Sequence, residues 1–226
     1  MILSLETSSL ICSVAIHNEG KPLASVHIDQ PQAAASQLAV AIDNTLKSLG
    51  VQPKELKAIA VSAGPGSYTG LRIGVATAKG LCFGLRIPLI AVNSLDLLAA
   101  QMLGSYNDEE HWLCPMFDAR RMEVYTRLYD AKGIPQTPIE AKVIDESSYA
   151  DVLASRGIVF FGSGADKCTE VIISSRAKFI KGVVPSVEKL GELAWQKFQQ
   201  QGFEDVESYE PFYLKDFLIK KPKALF

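Results

Sequence analysis

The chain has 226 residues, 48% of them hydrophobic and 21% charged, enough to bury one large core or two small ones. Its net charge of -2 supplies no global basic field, which excludes dominant electrostatic capture of nucleic acid and leaves any such role to a partner. The four cysteines, Cys12, Cys82, Cys114 and Cys168, form no C-x-x-C pair and have no close histidine, which excludes a disulfide framework and a zinc site. They read as reduced, buried thiols. The opening Met1-Ile2-Leu3-Ser4-Leu5-Glu6 has no basic region and reaches an acid at once, so it is no signal peptide. Arg72, Lys79, Arg86 and Pro88 interrupt the most apolar stretch, 71–92, so a cytoplasmic protein that spans no membrane is expected.

In chain order, residues 2–5 and 12–17 are β-prone runs joined by Thr7-Ser8-Ser9. The turn Asn18-Glu19-Gly20 leads to a third run at 23–28, completing an antiparallel meander. Apolar residues Leu38, Ile42, Leu46 and Leu49 predict a helix over 36–49, closed by Gly50. A strand at 58–62 enters a glycine-rich turn, and a helix over 71–85, a strand at 88–92 and a helix to residue 103 follow. Ser94 is the expected N-cap of that last helix.

A polar connection at 104–110 opens the second half. A strand at 113–117 ends at Asp118, Ala119-Arg120-Arg121 turns, 122–129 alternates as a strand, and 130–133 turns again. The opening did the same, with Glu6 where Asp118 now stands. A later strand at 158–161 runs into Gly162-Ser163-Gly164-Ala165 and a predicted helix, and a helix over 187–200 ends at Gly202. Two halves, 1–103 and 104–226, thus repeat one order of elements. The reading is an α/β protein with a duplicated ribonuclease-H-like fold, mixed β-sheets flanked by helices.

Gly64-Pro65-Gly66-Ser67-Tyr68-Thr69-Gly70-Leu71-Arg72-Ile73-Gly74 packs four glycines and a proline between strand and helix. Either it is a phosphate-type turn feeding a helix N-terminus, or the chain needs tight backbone approach there. It is no P-loop, because Leu71 rather than lysine follows Gly70. Its G-x-G-x-x-x-G spacing is also one residue too long for a dinucleotide fingerprint. Glu6 and Asp118 suit a magnesium ion beside substrate phosphates if they face one another, or merely local hydrogen bonds and arginine pairs if they do not. His17, His27 and His111 lie far apart and read as surface or strand-edge residues, with no metal site among them.

The helix after the turn carries two rows of small residues, Gly70, Gly74 and Ala78 on one face and Ala76, Gly80 and Gly84 on another. Helical glycine costs about 1 kcal/mol, so close packing is the natural return. One row suits the chain's own sheet; the other suits the helix at 36–49, with Ala33, Ala34 and Ala35 at its start, or a partner subunit. The aromatics of Tyr209-Glu210-Pro211-Phe212-Tyr213-Leu214 are expected to fold back on the body. The basic run Lys220-Lys221-Pro222-Lys223 reads as a chain end or a contact for RNA or an acidic partner.

With Leu3-Ser4-Leu5-Glu6-Thr7-Ser8-Ser9, the Gly64–Gly74 block, Asp118-Ala119-Arg120 and Glu210-Pro211-Phe212-Tyr213-Leu214, the chain resembles the TsaB family, also called YeaZ. The resemblance covers nearly the whole length. It implies an actin-like ATPase (ASKHA) fold that has lost catalysis and needs no cofactor. Such a chain serves as a scaffold for the catalytic homologue TsaD in making threonylcarbamoyladenosine in tRNA, with the ATPase TsaE joining. It further implies contact with tRNA only through the complex, and a homodimer when alone. The iron- or zinc-binding H-x-x-x-H of TsaD-type chains is missing here. On this resemblance Glu6, Thr7, Gly64, Gly66, Ser67 and Asp118 form a vestigial nucleotide site. Ala34, Leu38, Ile42, Arg72, Gly74 and Ala78 form the partner interface. The alternative is a small-molecule phosphotransferase of the same superfamily, working through Glu6, Asp118, the glycine turn and magnesium-ATP.

Overall fold

The computed structural model describes residues 1–103 and 110–214, so most of the polar connection and the whole Lys220–Lys223 run lie outside the described residues. The first sheet holds β1 (Ile2–Glu6), β2 (Cys12–Asn18), β3 (Lys21–Ile28), β4 (Ala58–Gly64) and β5 (Leu89–Asn93), ordered β3-β2-β1-β4-β5. The second holds β6 (His111–Asp118), β7 (Glu123–Thr126), β8 (Glu140–Val143), β9 (Gly157–Phe161) and β10 (Ala177–Ile180), ordered β10-β9-β6-β7-β8. Read from the opposite edge, the second order matches the first strand for strand. In each lobe the first three strands form the antiparallel meander, and the fourth and fifth run parallel beside the first. This is the duplicated ribonuclease-H-like, actin-like ATPase fold.

Strands β1, β4 and β9 are buried at every residue, which is why they read as largely apolar runs broken only by Ser4, Glu6 and Ser62, whereas edge strand β3 alternates. Helices α1 (Ala33–Ser48) and α2 (Tyr68–Leu85) cover one face of the first sheet, where Leu38, Ile42, Val75 and Ala78 join Leu3, Leu5, Val14 and Val61 in one core. Helix α5 (Val187–Gln199) covers the opposite face, its Ala194 and Trp195 against Ile2, Ala60 and Ile90. Helix α3 (Ser94–Leu103) buries Leu95, Leu98 and Met102 against Leu113, Phe117 and Phe161 of the second sheet. Chain order and packing therefore part company: α3 lies before the expected boundary at 103/104 yet serves the second sheet, and α5 lies after it yet serves the first.

Four local expectations need correction. Helix α1 begins at Ala33 rather than residue 36. The cap of α3 is Asn93, whose Oδ1 accepts the N–H groups of Leu95 and Asp96 at 2.9 and 3.4 Å, while Ser94 Oγ accepts the Gly64 N–H at 3.1 Å. After Gly162-Ser163-Gly164-Ala165 only a 3-10 turn forms, Asp166–Cys168, because the residues that follow, Thr169 and Val171-Ile172-Ile173, are β-branched and poor at continuing a helix. His17 is fully buried, with Ser4 Oγ 3.2 Å from its Nδ1 and the α5 backbone at Gly191 lying on its ring. That burial lowers its pKa. The short helix α4 (Ala150–Ser155) completes the second lobe. Among the described residues no helix is long and apolar enough to cross a membrane.

Candidate functional site

The last residue of β1, Glu6, is completely buried. Its Oε1 accepts hydrogen bonds from the Ser8 N–H at 2.7 Å and the Ser8 hydroxyl at 2.5 Å, and its Oε2 accepts one from the Ser62 hydroxyl on β4. Burial outweighs these bonds and pushes the carboxyl up to about 7. Ser62 had no local sequence signal as a partner for Glu6, since it stands 56 residues away.

The glycine turn closes on this same corner. The Ser67 N–H donates to the Ser8 carbonyl at 2.7 Å, and Ser67 Oγ caps α2 by accepting the Gly70 N–H at 3.3 Å. A methyl group on Gly66 would overlap the Ser8 carbonyl, one on Gly70 the Thr7 carbonyl, and one on Gly74 the Thr7 hydroxyl. Gly64 has a left-handed φ of 101°, and a Cβ there would sit 2.9 Å from the carbonyl oxygen of Phe212. The glycines therefore make room for the chain's own β1–β2 turn and C-terminal segment, the second of the two readings open from sequence. Glu6, Thr7, Gly64, Gly66 and Ser67 do come together.

Asp118 has partners of its own. It ends β6 as Glu6 ends β1, but its side chain is half exposed and ion-pairs with Lys167. Lys167 also donates to the carbonyls of Arg121 and Glu123, at 2.7 and 2.6 Å, and Asp118 Oδ1 accepts the Arg120 N–H at 3.0 Å. Neither Arg120 nor Arg121 contacts it through a guanidinium among the described residues, so lysine replaces the arginine pairing expected from sequence. No hydrogen bond or ion pair links Asp118 to Glu6 among the described residues. Nor do the described residues hold any group of three or more His, Cys, Asp or Glu suited to a metal ion.

The residues expected at a partner interface divide by face. Leu38, Ile42, Gly74 and Ala78 are core, turned toward the sheet and the β1–β2 turn, which corrects their assignment to the surface. Ala34 is half buried and Arg72 is exposed. Outward stand Ala39 and Val40 on α1, with Ala76, Gly80, Phe83 and Gly84 on α2, and of these Val40 is 58% and Phe83 76% exposed. Nothing lies within 4 Å of a Cβ built on Gly80 or Gly84.

Residues 204–213 run back over this lobe as a strap. The Glu204 N–H donates to the Leu89 carbonyl at 2.9 Å and the Phe212 N–H to the Ala63 carbonyl at 2.8 Å, and Lys79 Nζ donates to the carbonyls of Glu207 and Tyr209. The Tyr213 ring lies 5.1 Å from that of Tyr68 at the start of α2. The expected fold-back of the aromatic segment is thus a set of named bonds along α2.

A family model described as TsaD, tRNA N6-adenosine threonylcarbamoyltransferase, matches residues 30–221. The chain is 31% identical to the tRNA threonylcarbamoyladenosine biosynthesis protein TsaB of Bacillus subtilis (strain 168), over 95% of this chain and 93% of that one. It is 29% identical to the protein of the same name from Escherichia coli (strain K12), over 95% and 94% of the two chains. A Pseudomonas aeruginosa crystal structure, described as an uncharacterized protein with similarity to peptidase YeaZ, superposes with a TM-score of 0.82 at 28% identity, covering 95% of this chain and 99% of that one. Sequence and fold agree along almost the full length, and the chain belongs to the TsaB (YeaZ) family.

Proposed function

We propose that this chain is a non-catalytic subunit for the synthesis of threonylcarbamoyladenosine in tRNA, docking a TsaD-type catalytic subunit on the outward face of α1 and α2, with a TsaE-type ATPase joining the assembly. The observation that carries the reading is the closed glycine turn. The Ser8 and Thr7 carbonyls fill the space beside Gly66 and Gly70, and the Thr7 side chain fills that beside Gly74, which leaves no open phosphate cradle at the turn. Both strand-end acids are already engaged, Glu6 by serine hydroxyls and Asp118 by Lys167, so neither offers a ready metal ligand. The exposed Val40 and Phe83, among small residues that let a partner helix come close, support the docking face. Free of partners, the same self-complementary face serves a two-fold homodimer.

Reconstitution tests this. The full chain is combined with TsaD-type and TsaE-type subunits of the same organism, ATP, tRNA and a threonylcarbamoyl source, and modified adenosine is measured. The expected result is modification that depends on the chain, together with no nucleotide hydrolysis by the chain alone. Equal modification without it, or enzymatic turnover by the lone chain, overturns the reading.

A further inference from the structure

Arg72 stands on the outward face one turn into α2. Its Nη1 donates to the Tyr68 hydroxyl at 3.0 Å, and its guanidinium lies 5.4 Å from the Tyr68 ring centre. Those neutral contacts orient the fork without neutralising it, and no carboxylate pairs with it among the described residues. The strap supplies the opposite wall, Tyr209 and Tyr213, of an open groove of about 350 Å³. Lys79, also in the groove, spends its ammonium on the strap carbonyls of Glu207 and Tyr209. Glu210 lines the strap side without bonding to Arg72. One oriented cation with no carboxylate bonded to it is left between aromatic walls, on the same outward face of α2 as Ala76 and the exposed Phe83. Arginine and tyrosine anchors that a partner covers dominate interface energetics, and a planar guanidinium held in place favours a carboxylate that binds both its N–H edges.

We propose that the protein docking on α1 and α2 inserts an aspartate or glutamate side chain into the Tyr68–Arg72–Tyr213 notch, and that the strap is part of the docking surface because it builds half of that notch. This rests on the docking face assigned above and adds the chemistry that recognises the partner. It places the energetic centre at the N-terminal end of α2, with Phe83 as an apolar contact about three turns away.

Calorimetry of the full chain with the purified TsaD-type subunit, at low and high salt, tests it. Folding of each variant is checked by circular dichroism and thermal melting. Arg72→Gln is expected to weaken binding about tenfold and flatten its salt dependence, Arg72→Glu to weaken it about a hundredfold, and Arg72→Lys to recover only part of the loss. Tyr213→Ala should weaken binding without altering the fold. Phe83→Asp and Val40→Asp report on the docking face independently of the notch. If they abolish binding while the Arg72 variants bind with native affinity and salt slope, the carboxylate notch is overturned and the face stands. If they too leave binding untouched, the face is overturned as well. If the Arg72 variants dissociate only a complex of this chain with itself, the notch belongs to a second copy and the proposal falls.

Discussion

In the first lobe the acid that ends the opening strand is sealed from water, held by two serine hydroxyls, and roofed by a glycine turn that runs straight into the 18-residue helix α2. In the second lobe the corresponding Asp118 stands half exposed on Lys167, and the glycine turn ends in a single 3-10 turn. Both turns bond back to the region where their lobe's first strand ends, the first just past β1 and the second within β6. The Ser67 N–H donates to the Ser8 carbonyl at 2.7 Å, and the Gly164 N–H to the Met116 carbonyl at 2.9 Å. What separates the lobes is therefore what each turn launches. Only the first carries a long helix with an outward stripe of small residues and an exposed phenylalanine. A duplicated fold has become one-sided through residues that lie after the shared contact, not within it.

The sharpest way to break that comparison is to reopen the first-lobe corner. In Gly70→Ala the new methyl meets the Thr7 carbonyl, a backbone atom that cannot rotate away. Overpacking against fixed backbone costs about 3 kcal/mol, which lowers Tm by roughly 6–12 °C in a chain of this size. Thermal melting followed by circular dichroism checks it, and an unshifted Tm would show that the corner is looser than its geometry. Gly74→Ala should cost less, since its methyl meets the rotatable Thr7 hydroxyl.

Glu6 sharpens the comparison through pH. Its folded pKa, about 7, lies above the ordinary glutamate value of 4.5, so the folded state binds the proton more tightly. Stability from this group is full below pH 4.5 and is lost as pH rises toward and through 7, on the order of 3 kcal/mol once ionisation is complete. Glu6→Gln keeps the neutral shape and both serine contacts but cannot ionise. The variant should match the native chain near pH 4 and exceed its stability near pH 8, as measured by urea unfolding at the two values. Parallel pH profiles for the two proteins would mean that Glu6 is solvated or ionised in the fold at little cost.

Much of the architecture is legible in the sequence. Glu6 and Asp118 stand at matching strand ends because each closes an apolar run and precedes a polar turn, signals that are local. Gly50 closes α1 for the same reason, with its φ of 65° in the left-handed region that glycine favours. What escaped was nonlocal. Ser62 reaches Glu6 from 56 residues away and Lys167 reaches Asp118 from 49, and no periodicity announces either pair. The two small-residue rows of α2 were visible, but spacing alone does not say which one faces inward, so Gly74 and Ala78 were placed on the wrong side. The larger neighbours held the answer. Leu71, Val75 and Cys82 flank Gly74 and Ala78, whereas Thr69 and Arg72 mark the wet face.

The outward row offers the smallest effect, and one of opposite sign. A Cβ on Gly80 or Gly84 meets nothing within 4 Å, so alanine there touches no neighbour and removes only the entropy that glycine loses in a helix. Each substitution should stabilise the isolated chain by up to about 1 kcal/mol, raising Tm by roughly 2–4 °C. A partner helix seated on this face changes the balance, because added methyls hold the two backbones apart. Gly80→Ala with Gly84→Ala should therefore melt later alone yet bind the TsaD-type subunit more weakly, an inverse relation read by pairing a melt with a binding isotherm. Should the doubly substituted chain gain in both, the face is open surface, and its glycines answer to no partner.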